Sequence, residues 1–208
     1  PQIIWKNFSK LNAVPRPSKK EEKVIAFIKG FGENLGLETT VDEVGNVIIK
    51  KPATAGMENR KSIVLQSHLD MVCQKNNDVN FDFETEGIKM EIDGDWVKAK
   101  GTTLGADNGL GVATIMSILE SSGIPHPALE ALFTIDEETG MTGAIGLKPG
   151  QLTGEILLNL DTEEDDEIDI GCAGGVDVTI TQNYAVEAPK GQIVRIEVKG
   201  LQGGHSGM

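Results

Sequence analysis

Ser62-Ile63-Val64-Leu65-Gln66-Ser67-His68-Leu69-Asp70 is a nearly unbroken apolar run that ends on an imidazole and a carboxylate. A run of that length and character predicts a strand over residues 62–69, covered on both faces. Two further runs repeat the plan. Residues 128–135 lead into Asp136-Glu137-Glu138, and residues 156–160 lead into Asp161. Residues 110–119 predict a helix that is apolar nearly all round and hence buried, with Asp107-Asn108-Gly109 at its entry. Strands alternating with helices predict an α/β fold, a mixed and mostly parallel sheet flanked by helices. Such sheets place their sites at strand ends.

The flanking sequence fits this plan. Residues 3–11 predict a short helix stopped by Pro15-Arg16-Pro17. Ser18 then reads as the N-cap of a second helix, with Glu21 as its capping-box partner, and Gly36 as a stop. Residues 41–49 alternate around Gly45-Asn46 and predict a hairpin. Residues 76–101 form an excursion with a strand near its end. Beyond residue 172 the pattern changes to alternating strands at 176–181 and 192–199, and Gly203-Gly204-His205-Ser206-Gly207-Met208 ends in mid-pattern. The expected organisation is one domain over 1–172 and the truncated beginning of a second over 173–208.

Composition narrows the function classes. The 208 residues are 39% hydrophobic and 25% charged, as in a globular protein. A formal net charge of -13 argues against nucleic acid, whose phosphates need a basic surface. The run Glu163-Glu164-Asp165-Asp166-Glu167 reads as a solvated loop. No apolar stretch approaches the ~20 residues of a membrane span, and the first residues lack signal-peptide features. Cys73 and Cys172 have no framework spacing, which fits a reducing, cytoplasmic setting. His126, between two prolines, reads as a surface turn.

His68 and Asp70 lie at i and i+2, on one side of a strand. One could ligate a metal while the other orients it. Asp107 reads as an N-cap and, compatibly, as a carboxylate shared by two cations. Glu137 and Glu138 would point opposite ways in extended backbone, which suggests different work. Glu138 would bind a metal, and Glu137 would serve as the base for a metal-activated water. Asp161 alone is an ordinary turn residue. The concurrence of all these groups at element ends points to two divalent ions. Zinc suits the mixed N/O donor set, with manganese or cobalt as alternatives. His205 could donate to an oxyanion, or could be an ordinary loop histidine between glycines.

Ser67-His68-Leu69-Asp70-Met71-Val72, Gly105-Ala106-Asp107-Asn108-Gly109, Thr134-Ile135-Asp136-Glu137-Glu138-Thr139-Gly140, Asn159-Leu160-Asp161-Thr162-Glu163 and Gly203-Gly204-His205-Ser206-Gly207 resemble the di-zinc family of aminoacylases, carboxypeptidases and dipeptidases. The resemblance implies that His68 and Asp161 bind one zinc, Glu138 the other, and that Asp107 bridges them. It makes 1–172 a catalytic domain and 173–208 the beginning of a smaller α+β lid domain. It implies Asp70 as the orienter of His68, Glu137 as general acid/base, and His205 as a transition-state contact from the lid. It also implies a cis Asp107–Asn108 peptide, a further ligand histidine from a longer chain, and a homodimer paired through the lid. The substrates implied are unblocked dipeptides, Xaa-His among them. The alternatives are an N-acyl-amino-acid amidohydrolase of the same fold, or a non-catalytic binding protein.

Overall fold

The computed structural model describes residues 1–162, 166–171, 176 and 178–200. The chain divides into two units, Pro1–Asp166 and Glu167–Met208.

Among the described residues, the first unit holds seven strands: β1 (Glu38–Val41), β2 (Val47–Lys51), β3 (Ile63–His68), β4 (Met90–Asp93), β5 (Trp96–Ala99), β6 (Leu129–Thr134) and β7 (Ile156–Asn159). Four helices accompany them: α1 (Gln2–Asn12), α2 (Glu22–Asn34), α3 (Ala106–Glu120) and α4 (Thr142–Gly146). Five strands form one sheet in the order β1-β2-β6-β3-β7, while β4 and β5 form a separate ribbon. β3 runs parallel to both β6 and β7, and β2 is antiparallel to β1 and β6. Only β2 therefore opposes the others, which gives the mixed, mostly parallel sheet.

β6 lies between β2 and β3, and all six of its residues are buried. Successive side chains of a strand point to opposite faces, so β6 supplies two cores at once. Leu129, Ala131 and Phe133 join Leu65, Val24 and Ile28 with Val112, Ile115 and Met116 of α3. Leu132 packs with Ile48 and Val64 on the other face, beneath Leu147 and Leu152. The uninterrupted apolar character of β3 and β6 thus follows from cover on both sides. α3 lies among these side chains, with Val112, Ala113, Ile115 and Met116 fully buried.

Three expectations need correction. Residues 156–160 read as a buried strand, yet Ile156, Leu157 and Leu158 of β7 are exposed, Leu157 by 62%. β7 pairs with β3 alone at the sheet edge. His126 is buried rather than on a surface turn, with Nδ1 2.7 Å from the Pro127 carbonyl. The strands expected at 176–181 and 192–199 are not formed among the described residues, where Val178, Ile180, Ile193 and Ile196 stay exposed. Alternation alone does not hold a strand, which needs a hydrogen-bonded neighbour and a covered face.

Register delivers the chemistry to one edge. His68 is level with Thr134 in the β3–β6 pairing, and the Leu69 amide donates to the Thr134 carbonyl at 2.8 Å. The Leu160 amide donates to the Gln66 carbonyl at 2.9 Å. The segments leaving β3, β6 and β7 therefore emerge side by side.

Candidate metal centre

His68 closes β3 and is only 1% exposed. Its Nδ1 lies 3.3 Å from Oδ1 of Asp70 and 3.1 Å from the Asp70 carbonyl. With that edge held, Nε2 faces three further carboxylates: Asp107 Oδ1 at 3.0 Å, Asp161 Oδ2 at 3.6 Å and Glu137 Oε2 at 3.9 Å.

Asp107 enters from the start of α3, and the Asp107–Asn108 peptide is cis, as the resemblance implies. Its φ of -79° and ψ of 114° are not helical, and no side chain caps the helix. The N-cap reading of Asp107 therefore gives way, since its carboxylate faces His68. Asn108 went unflagged in the sequence, because an asparagine before glycine reads as a turn. Its Nδ2 donates to the Leu160 carbonyl at 2.7 Å and to Oδ1 of Asp161 at 3.0 Å. It thereby fixes Asp161 beyond the end of β7.

The two glutamates share one turn. The backbone leaves extended conformation at Asp136, whose φ is 51°, so Glu137 and Glu138 are not forced to opposite faces. Their amides donate to Oδ1 and Oδ2 of Asp70 at 3.0 and 3.2 Å. Asp136 anchors the turn by accepting from the hydroxyls of Thr139 and Thr142. Both glutamate carboxylates reach the cluster. Donor atoms of His68, Glu137 and Asp161 lie within 4.8 Å of one another, and so do those of His68, Asp107 and Glu138.

The capping box expected at Ser18 and Glu21 is not formed, and α2 has no side-chain cap. The Ser18 hydroxyl instead donates to Oδ2 of Asp70 at 2.7 Å. Glu21 Oε1 accepts from the amides of Lys19 and Asp136 at 2.9 and 3.1 Å. Glu21, Asp70 and Asp136 form a third, fully buried acidic group, but backbone amides and hydroxyls already occupy its oxygens.

Charge explains the remaining character of the site. Burial alone would lower the His68 imidazolium, but hydrogen bonds to Asp107 and Asp70 and the charge of Asp161 outweigh it. Its pKa stands at about 10. Burial alone would raise Asp70, yet the bonds from His68, Ser18 and the Glu137 amide bring it down to about 2. Burial pushes Glu137, Glu138 and Asp161 up, and neighbouring carboxylates add to the rise. One imidazole thus faces an excess of carboxylate, an arrangement that divalent cations would neutralise. The donor set, one imidazole nitrogen with several carboxylate oxygens, fits zinc and similar ions.

His205 and Cys172 lie outside the described residues. Burial pushes the Cys73 thiol up to about 11, which suits packing rather than nucleophilic work.

No family model matches the chain. The cytosol non-specific dipeptidase of Escherichia coli (strain K12) is 50% identical over 209 residues, covering 100% of this chain and 43% of that protein. The crystal structure of aminoacylhistidine dipeptidase from Vibrio alginolyticus superposes with a TM-score of 0.78 at 52% identity, covering 79% of this chain and 34% of that one.

The chain is a homologue of these dipeptidases.

An aminopeptidase from Bacillus cereus also matches, with a TM-score of 0.67 at 26% identity over 78% of this chain and 44% of that one. The chain spans less than half the length of these relatives. In this dipeptidase homologue the clustered donors could hold metal ions. Among the described residues, no helix is long and apolar enough to cross a membrane.

Proposed function

We propose that this chain carries most of the active site of a metal-dependent dipeptidase. The observation that carries the reading is the environment of His68. Asp70 holds its Nδ1 edge, while Nε2 faces Asp107, Glu137 and Asp161 within 3.9 Å. His68 and Asp161 would hold one divalent cation and Glu138 the other, with Asp107 between them. Zinc is the cation the donor set favours. Such a pair supplies Lewis acidity, polarising a peptide carbonyl and acidifying the attacking water.

The chain's own residues do the rest. Asp70 fixes the tautomer and orientation of His68, so that Nε2 presents its lone pair to the site. Asn108 holds Asp161 in place. Glu137 takes the proton of the attacking water and returns it to the leaving amine. Burial raises its pKa above the ordinary glutamate value, which makes it a stronger base. His205, from the lid of residues 173–208, would steady the developing oxyanion. Both relatives are named as dipeptidases, and unblocked dipeptides, with Xaa-His among them, are the proposed substrates. A cytoplasmic location and a homodimer paired through the lid belong to the same proposal and rest on the resemblance.

The test is hydrolysis of a dipeptide panel by the full-length protein, after chelation and again after adding zinc, manganese or cobalt. Cation-restored cleavage of unblocked dipeptides, without cleavage of N-acylated ones, is the expected result. Cleavage of N-acyl amino acids alone would reassign the substrate. No cleavage with ions bound would remove the reading.

A further inference from the structure

Arg16 heads the large side chains that are fully buried in this fold, at 1% exposure. It comes from Pro15-Arg16-Pro17, a stretch whose composition suggests an exposed connection between helices. Nη1 donates to the carbonyls of Leu69 and Asp70, each at 3.1 Å. Nη2 donates to the Gly105 carbonyl at 2.5 Å and to Oδ1 of Asn12 at 3.1 Å. Leu69 and Asp70 follow the ligand-bearing end of β3, and Gly105 stands two residues before Asp107. One planar fork therefore ties together the two loops that present His68 and Asp107.

Space has been cleared for that fork. A Cβ on Gly105 or on Gly109 would collide with Nη2, and Gly105 also needs its φ of 72°. The guanidinium lies close enough to act electrostatically on Asp70, Asp107 and Glu138. Nε is buried with no hydrogen-bond partner. A buried cation that leaves one donor unbonded is a poor way to fill a core, because an apolar side chain of similar volume avoids the desolvation. What an apolar residue cannot supply is four directed bonds and a fixed charge behind the carboxylates.

The neighbouring residues extend the contact. Ser18 bonds to the carboxylate of Asp70, and Glu21 accepts from the Asp136 amide. The segment 16–21 thus bonds to three of the four segments that build the centre, those bearing His68, Asp107 and the two glutamates.

We propose that Arg16 is a positioning residue for the metal centre, setting the spacing of the Asp70 and Asp107 loops and placing a permanent positive charge behind their carboxylates. The proposal rests on reading the cluster as a metal centre, and its test separates the two.

In the full-length protein, Arg16→Met and Arg16→Lys are titrated with Co²⁺ alone, read by calorimetry and by visible absorption. Leu119→Ala, which thins the core at the far end of α3, is the control for lost stability. Arg16→Met should weaken Co²⁺ binding about 10–100-fold, the usual effect of losing a residue that orients ligands, and should change the absorption band. Arg16→Lys, which keeps the charge without the fork, should fall between Met and the parent. Leu119→Ala, at a similar loss of melting temperature, should bind as the parent does. Parental affinity and spectrum in Arg16→Met overturn the proposal alone, as does an equal loss of affinity in Leu119→Ala. Should the Met variant not fold, parental binding by Arg16→Lys overturns it. A parent protein that takes up no Co²⁺ overturns the metal-centre reading, and this proposal with it.

Discussion

Oδ1 of Asp70 stands 3.3 Å from Nδ1 of His68, with both side chains buried, and this pairing decides which way the imidazole faces. The same carboxylate accepts the amides of Glu137 and Glu138 and the hydroxyl of Ser18. It therefore fixes the histidine and the glutamate turn relative to each other. Replacing Asp70 with Asn should weaken cation binding about 10–100-fold, since one oxygen acceptor becomes a donor. Titration with Zn²⁺ or Co²⁺ checks this, and parental affinity would show that Asp70 does not orient His68.

The two glutamates should separate in function although they share a turn. Glu137→Gln should leave cation stoichiometry unchanged and lower kcat about 10²–10⁴-fold, the range for loss of a general base. Glu138→Gln should lower cation affinity instead. Steady-state rates beside elemental analysis of each variant distinguish the roles. The reverse pattern would exchange them.

Proton release gives an independent reading. In the metal-free chain the His68 pKa is raised from 6.5 to about 10, so the ring is an imidazolium at neutral pH. A folded pKa above the unfolded one means that its ion pairs contribute stability fully below pH 6.5. That contribution is lost as pH rises through about 10. Cation binding must displace the same proton, so affinity should climb with pH and level off near that value. Calorimetry at pH 7 in buffers of different ionisation enthalpy should show roughly one proton released from His68, besides any from the raised carboxylates. No release would mean that His68 does not ligate.

Packing beneath the centre should be intolerant of a single methyl group. A Cβ on Gly111 would meet Oδ1 of Asn108 at 2.5 Å and the Leu160 carbonyl at 2.7 Å. Gly111→Ala should therefore destabilise the fold by about 1–3 kcal/mol, as overpacking does. It should also weaken cation binding by displacing Asn108 from Asp161. Denaturant unfolding reads the first effect and titration the second. A variant unchanged in both would contradict the packing described here.

What was legible in the sequence was what local pattern controls. β3, β6 and α3 are long apolar runs with cover on both sides, so their type and burial followed from composition. His68, Asp107, Glu138 and Asp161 stood out because each closes or opens such a run. Features set by tertiary placement were not legible. Ser18 and Glu21 match a capping box, yet their side chains reach Asp70 and Asp136, more distant in sequence and chemically more demanding. The left-handed conformation of Asp136 turned two apparently opposed glutamates into neighbours. The burial of Arg16 depends on the carbonyls of Leu69, Asp70 and Gly105, all more than fifty residues away in sequence. The run in β7 carries the same apolar signal as β6, and only the sheet order shows that it lies on an edge.

The central claim is that the carboxylates around His68 form a centre for two cations. A crystal of the full-length protein grown with zinc, with anomalous data collected on both sides of the zinc edge, tests it most directly. The account predicts two anomalous peaks about 3.5–4 Å apart, the usual separation in two-metal sites. Asp107 should lie between them, and Nε2 of His68 and Asp161 against one. Zinc bound elsewhere with no peak beside His68, or a single peak that Glu138 does not approach, would contradict it.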